Sequence, residues 1–118
     1  MTTHKDLEVW QKSIILVTKI YTETKQYPED EKFGLTSQIR RCAVSIPSNV
    51  AEGAARNTQK DFTRFLHISL GSAAELQTQL LISLNLNYLD KNKYEQLLAE
   101  AETISKMLSG LIKSVKNN

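Results

Sequence analysis

From Thr58 to Leu86 the chain holds one glycine and no proline, and its apolar residues recur at spacings of three and four. That pattern predicts a helix of roughly 29 residues, about 43 Å long at 1.5 Å per residue. Placed at 100° intervals, Phe62, Phe65, Leu66, Ser69, Ala73, Leu76 and Leu80 form one stripe, enough for a bundle core. Leu70, Ala74, Gln77, Leu81 and Leu84 form a second stripe roughly 100° away, and Ile68, Ile82 and Leu86 fall on another side. Only Lys60, Arg64, His67, Thr78 and Asn85 leave a thin polar strip. A helix apolar nearly all round is buried on several sides. A monomeric bundle buries only one face of each helix, so self-association is expected, with Leu70, Leu81 and Leu84 as interface candidates.

Three further periodic stretches complete an all-α reading, favoured by the scarcity of glycine (4) and proline (2). Thr3 and Asp6 resemble a capping box, after which Leu7, Trp10, Ile14, Val17 and Tyr21 recur at helical spacing. Val9, Leu16 and Ile20 flank that stripe, which adds Leu16 and Ile20 to the interface candidates. This helix frays near Gln26, before Pro28, and the acidic "YPEDEKFG" reads as a solvated loop. A second helix starts near Gly34 and presents Leu35, Ile39, Cys42, Ile46 and Val50. After "NYLDKNK", with Asp90 as N-cap, the fourth repeats Tyr94, Leu97, Ala101, Ile104, Leu108, Leu111 and Val115. The short second and third connections predict an antiparallel up-down-up-down four-helix bundle. The 118 residues make one domain spanning 1–118.

The second helix is predicted to kink at Pro47, whose ring clashes with the carbonyl of Ala43. Ser45, Ser48 and Asn49 can supply local hydrogen bonds there. Small residues follow (Ala51, Gly53, Ala54, Ala55), matched by Gly71, Ser72, Ala73 and Ala74 on the third helix. With the turn centred near residue 56, Arg40 and Arg41 face Ser72 and Gly71. Across that floor either arginine is expected to reach Glu75 in a structural salt bridge.

Arg40, Arg41, Arg56, Lys60 and Arg64 are five cations in 25 residues, opposed in that window by Glu52 and Asp61. Arg56, Lys60 and Arg64 are the nucleic-acid-binding candidates, since clustered cations suit a phosphate backbone; plain solvation of these side chains is the competing reading. The overall charge of +2 is too small to mark a nucleic-acid binder by itself.

"FGLTSQIRRCAVSIPSNVAEGAAR" and "FTRFLHISLGSAAELQTQLLISLNLNYL", with the opening "DLEVWQKSIILV", resemble the 23S rRNA intervening-sequence proteins. This is a bacterial four-helix bundle family that includes the accessory variability determinant protein of diversity-generating retroelements. Gln38, Arg40, Arg41, Ser45, Ile46, Asn49, Ala51, Glu52 and Gly53, then Gly71, Ser72, Glu75 and Leu76, follow the family pattern, with Cys42 where alanine is usual. The resemblance implies a barrel-like homopentamer. For the retroelement protein it also implies a basic surface that binds RNA or DNA, and a reverse transcriptase partner. That member is markedly basic, unlike this chain.

Nothing in the sequence suggests catalysis, and a non-enzymatic protein is expected. His4 and His67 are too far apart for a metal pair, no zinc spacing occurs, and the glycines are isolated, so no metal or cofactor is expected. The longest aliphatic run, Ile14–Val17, is far short of the roughly 20 residues a membrane span needs. Without a charged-then-apolar leader, a soluble cytoplasmic protein is expected. Two functions of different class fit: a nucleic-acid-binding accessory protein, or a structural scaffold or adaptor that binds protein alone.

Overall fold

A computed structural model describes residues 3–117. Within them are four long helices and no strand: α1 (Glu8–Thr24), α2 (Leu35–Ala54), α3 (Gln59–Asn85) and α4 (Lys91–Lys116). They pack side by side into a body 45 × 24 × 20 Å, whose long axis is set by α3 and α4. One apolar core draws on all four, including Leu16, Ile20, Ile39, Ile46, Leu66, Leu80, Ile104 and Leu108. No helix is long and apolar enough to cross a membrane among the described residues.

The ends of the helices follow from side-chain chemistry. Thr58 Oγ1 accepts from the Asp61 backbone N–H at 3.1 Å, and Asp90 Oδ1 from that of Lys93 at 2.8 Å, each satisfying a first-turn donor. At the end of α3, Asn87 adopts φ 63°, a left-handed conformation that asparagine tolerates. The Tyr88 N–H then reaches Ser83 O at 2.9 Å and that of Asn87 reaches Leu84 O at 3.0 Å. This double closure caps the helix and turns the chain towards buried Leu89. The capping box at Thr3 and Asp6 forms, but it caps a 3₁₀ turn, His4–Asp6. Leu7 is extended, and α1 starts only at Glu8.

The face of α1 is rotated from expectation. Val9, Ser13, Leu16, Ile20 and Thr24 are buried, whereas Ile14 and Tyr21 are exposed, and Leu7, Trp10 and Val17 pack against the core from its edge. Ser13 and Thr24 can be buried because their hydroxyls donate to the carbonyls of Val9 (2.6 Å) and Ile20 (2.7 Å) one turn back. Leu16 and Ile20 are therefore core residues of the subunit itself, fully enclosed, and are removed as interface candidates.

α2 runs through Pro47, which is buried. Asn49 Nδ2 donates to Ser45 O at 2.8 Å and to Ser45 Oγ at 2.9 Å, and Ser69 Oγ donates to Ile46 O at 2.8 Å. Ser69 thus spends its hydroxyl on the proline-bearing turn of the neighbouring helix. α2 and α3 approach closely at Gly53, where a Cβ would lie 2.8 Å from Phe65 Cβ and 3.0 Å from Phe62 Cδ1. Gly71 faces open space, so it is no floor for a guanidinium group.

Candidate nucleic-acid interface

The turn between α2 and α3 brings together part of the predicted basic cluster. Arg56 lies two residues beyond the end of α2, and Lys60 and Arg64 lie in the first two turns of α3. The guanidinium carbons of Arg56 and Arg64 lie 5.0 and 4.6 Å from the centroid of the half-buried Phe65 ring. Two cations are thus held over one aromatic residue, an attractive placement for each that concentrates positive charge at this end of the body. Glu52 lies 3.8 Å from Arg56 Nε, an exposed contact one turn apart, and offsets part of that charge only weakly. Lys60 is exposed and makes no ion pair among the described residues. The arrangement offers guanidinium and ammonium donors of the kind a phosphate oxyanion takes.

The sequence stripe counted Phe65 as a core residue, but it is half-buried and lies outside the core, serving instead as a platform for two arginines. The available signal was an aromatic adjacent to Arg64 and near a helix start reached by Arg56.

Arg40 and Arg41 separate. Arg40 turns towards α1: its Nε donates to Thr24 Oγ1 at 2.8 Å, its Nη2 to Tyr21 O at 3.4 Å, and its guanidinium lies 4.7 Å from the Tyr21 ring centroid. It therefore ties the last turn of α1, where carbonyls lack helical partners, to α2. Arg41 is exposed on the opposite flank. Glu75 is exposed as well, and neither arginine forms an ion pair with it among the described residues. The expected Glu75 salt bridge is thereby corrected. Observed contacts put Ser72 against Cys42 and Ser45, a register shifted from one centred on residue 56. Ser72 binds these neighbours and leaves no floor across which Arg40 could reach Glu75.

Beside Glu75, Cys42 Sγ donates to Ser72 O at 3.0 Å. Burial, then the charge of Glu75, pushes this thiol up to about 12, so it stays protonated. Of the predicted interface residues on α3, Leu81 is exposed, Leu84 is half-buried, and Leu70 packs against the core. Leu70 is thus largely used within the subunit. Ile68, Ile82 and Leu86 are exposed alongside Leu81. His67 is exposed, and His4 meets Trp10 edge-on at 5.1 Å. Among the described residues no three His, Cys, Asp or Glu side chains gather to hold a metal.

The model of the family described as 23S rRNA-intervening sequence protein matches residues 5–110. A solved structure of a protein of unknown function from the S23 ribosomal protein family, from Bacteroides thetaiotaomicron VPI-5482, superposes with a TM-score of 0.82. It is 27% identical, and the match covers 89% of this chain and 95% of that one. No curated protein sequence matches the chain.

Proposed function

The chain belongs to the 23S rRNA-intervening sequence protein family, and from that premise we propose a non-catalytic, self-associating protein that binds nucleic-acid phosphates through its α2–α3 turn. The observation that carries this reading is the pair of guanidinium groups over Phe65, at 5.0 and 4.6 Å, with Lys60 nearby in sequence. Their charge is focused at one end of a body whose overall charge is only +2. Contacts of this kind read phosphate and not sequence. The proposal includes an up-down-up-down antiparallel bundle kinked at Pro47, a cytoplasmic location and a homopentameric ring. It extends to a reverse transcriptase partner in a retroelement setting, by resemblance alone.

Ring formation is supported by two unlike apolar surfaces. α3 presents Ile68, Leu81, Ile82 and Leu86. Between α1 and α2 lies a groove lined by Trp10, Ile14, Val17, Val44 and Pro47. A ridge on one copy that meets a different surface on the next makes a heterologous contact, which closes into a ring when the rotation permits. The same exposed apolar residues favour a second reading, a scaffold or protein adaptor with no nucleic-acid contact.

Fluorescence anisotropy with labelled duplex DNA and RNA across a salt series tests the choice. Three phosphate contacts per subunit predict a log–log salt slope of about −3 on duplex DNA for a single subunit's footprint. The combined Arg56→Gln, Lys60→Gln, Arg64→Gln variant should bind at least about tenfold more weakly, with a flatter slope. Binding unchanged in that variant, or absent at low salt in the parent protein, favours the scaffold.

A further inference from the structure

On the outer flank of α2 and α3, away from the basic turn, lies a cleft of about 420 Å³ whose lining includes Arg41, Cys42, Ser45, Ser72, Glu75 and Gln79. Its polar groups divide into donors and acceptors. Asn49 Nδ2 donates to Ser45 Oγ at 2.9 Å, and Ser45 Oγ lies 2.8 Å from Ser72 Oγ. Either hydroxyl of that pair can be the donor, and in one of the two arrangements Ser45 accepts from Asn49 and donates to Ser72. The Ser72 proton is then free to be donated into the cleft. Arg41 adds a guanidinium with no carboxylate partner among the described residues.

The acceptors are Glu75, which has no cationic partner there, and Gln79. The Gln79 side chain is 8% exposed, and its Oε1 is buried without any hydrogen-bond donor. A buried unsatisfied amide oxygen costs stability until a donor reaches it. That oxygen is closed off from solvent, and a turn of the amide about its last, soft torsion would bring it to a ligand in the cleft. The influence of Glu75 on the Cys42 thiol is consistent with a carboxylate directed to this side of α3.

One fixed positive and one fixed negative charge make the cleft electrically neutral. A simple anion is repelled by Glu75 and a simple cation by Arg41. We propose that this cleft binds a small zwitterion of the α-amino-acid class, its carboxylate on Arg41 and Ser72 and its ammonium group on Glu75 and the Gln79 amide oxygen. A guanidinium can take a carboxylate through two parallel hydrogen bonds, so Arg41 sets the orientation and Glu75 selects for the ammonium group. The site uses none of Arg56, Lys60 or Arg64, so it stands or falls independently of nucleic-acid binding.

NMR titration of the ¹⁵N-labelled protein tests this, with glycine and L-glutamine as probes and acetate and methylammonium as half-ligand controls. The Arg41 Nε and Gln79 amide signals should shift saturably with at least one amino acid, with Kd on the order of 1 mM. Neither control should saturate in that range. Arg41→Gln and Glu75→Gln, at exposed unpaired positions, should keep the parent melting temperature and each weaken binding by about tenfold or more. Gln79→Met removes the orphan acceptor, so it should melt no lower than the parent protein while binding more weakly. The proposal is overturned if neither amino acid saturates, if acetate binds as tightly as glycine, or if both charge variants retain parent affinity.

Discussion

The Cys42 thiol is 7% exposed and donates to the Ser72 carbonyl at 3.0 Å, so its protonated form is the one the fold holds. Its pKa rises from an ordinary 9.0 to about 12, through burial first and the Glu75 charge second. The consequence for stability has a definite sign. Below 9.0 both folded and unfolded chains keep the proton, and the contribution is fully present. As pH rises from there towards about 12, the unfolded chain releases the proton and the folded one retains it. The folded state then binds more protons, so stability is lost with rising pH across that window. The Cys42→Ala variant shares every other titrating group but lacks the thiol. The stability difference, parent minus variant, from urea unfolding should therefore fall as pH is raised above about 9. A difference that stays flat refutes the assignment.

At the scale of the helix, α2 and α3 make unequal use of their small residues. Gly53 meets Phe62 and Phe65 closely enough that a Cβ would lie 2.8 Å from a side-chain carbon, whereas nothing lies within 4 Å of one at Gly71. Gly53→Ala should thus destabilise by about 1–3 kcal/mol through overpacking. Gly71→Ala, mid-helix and exposed, should stabilise by up to about 1 kcal/mol. Thermal or urea unfolding checks both, and equal effects of one sign would contradict the packing described. Both glycines read alike in the sequence, because a glycine records that bulk is absent and not what fills the space. Other features were legible. The start of α3 near Thr58, the cap at Asp90 and most of the buried stripes of α2, α3 and α4 follow from periodicity and local hydrogen bonding. The face of α1 did not, because the stripe counted hydrophobic residues while Ser13 and Thr24 satisfy their hydroxyls within the helix and pass into the core. The Glu75 salt bridge failed for a related reason: Ser72 meets Cys42 and Ser45 instead of Arg40, and such a register error moves a side chain well around its helix. The candidate basic turn was legible as charge, but the placement of Arg56 and Arg64 over Phe65 required the fold.

For the molecule as a whole, the question is where the surface apolar residues go. Ile68, Ile82 and Leu86 lie 43, 42 and 47% exposed and share one side of α3, and Leu81, 45% exposed, lies about 100° round the helix from Ile82. Large apolar side chains exposed on more than one side of a helix are what an association surface would cover, and a charge of +2 offers little repulsion between copies. The proposed ring makes the core and the interface separable by mutation. Leu16 is enclosed in the subunit, so Leu16→Ala should cost about 2–5 kcal/mol of stability through the cavity it leaves. Leu81→Glu and Ile82→Glu instead place a charge on exposed positions, where the isolated subunit tolerates it with changes within about 0.5 kcal/mol. In an assembly, that charge would be desolvated without a partner. Analytical ultracentrifugation at micromolar concentration should therefore find the parent protein as a multimer, five subunits by resemblance. The double variant Leu81→Glu, Ile82→Glu should sediment as a monomer with helical circular dichroism intact. A monomeric parent protein rejects self-association, and a double variant that keeps the parent mass moves the interface off these two faces of α3.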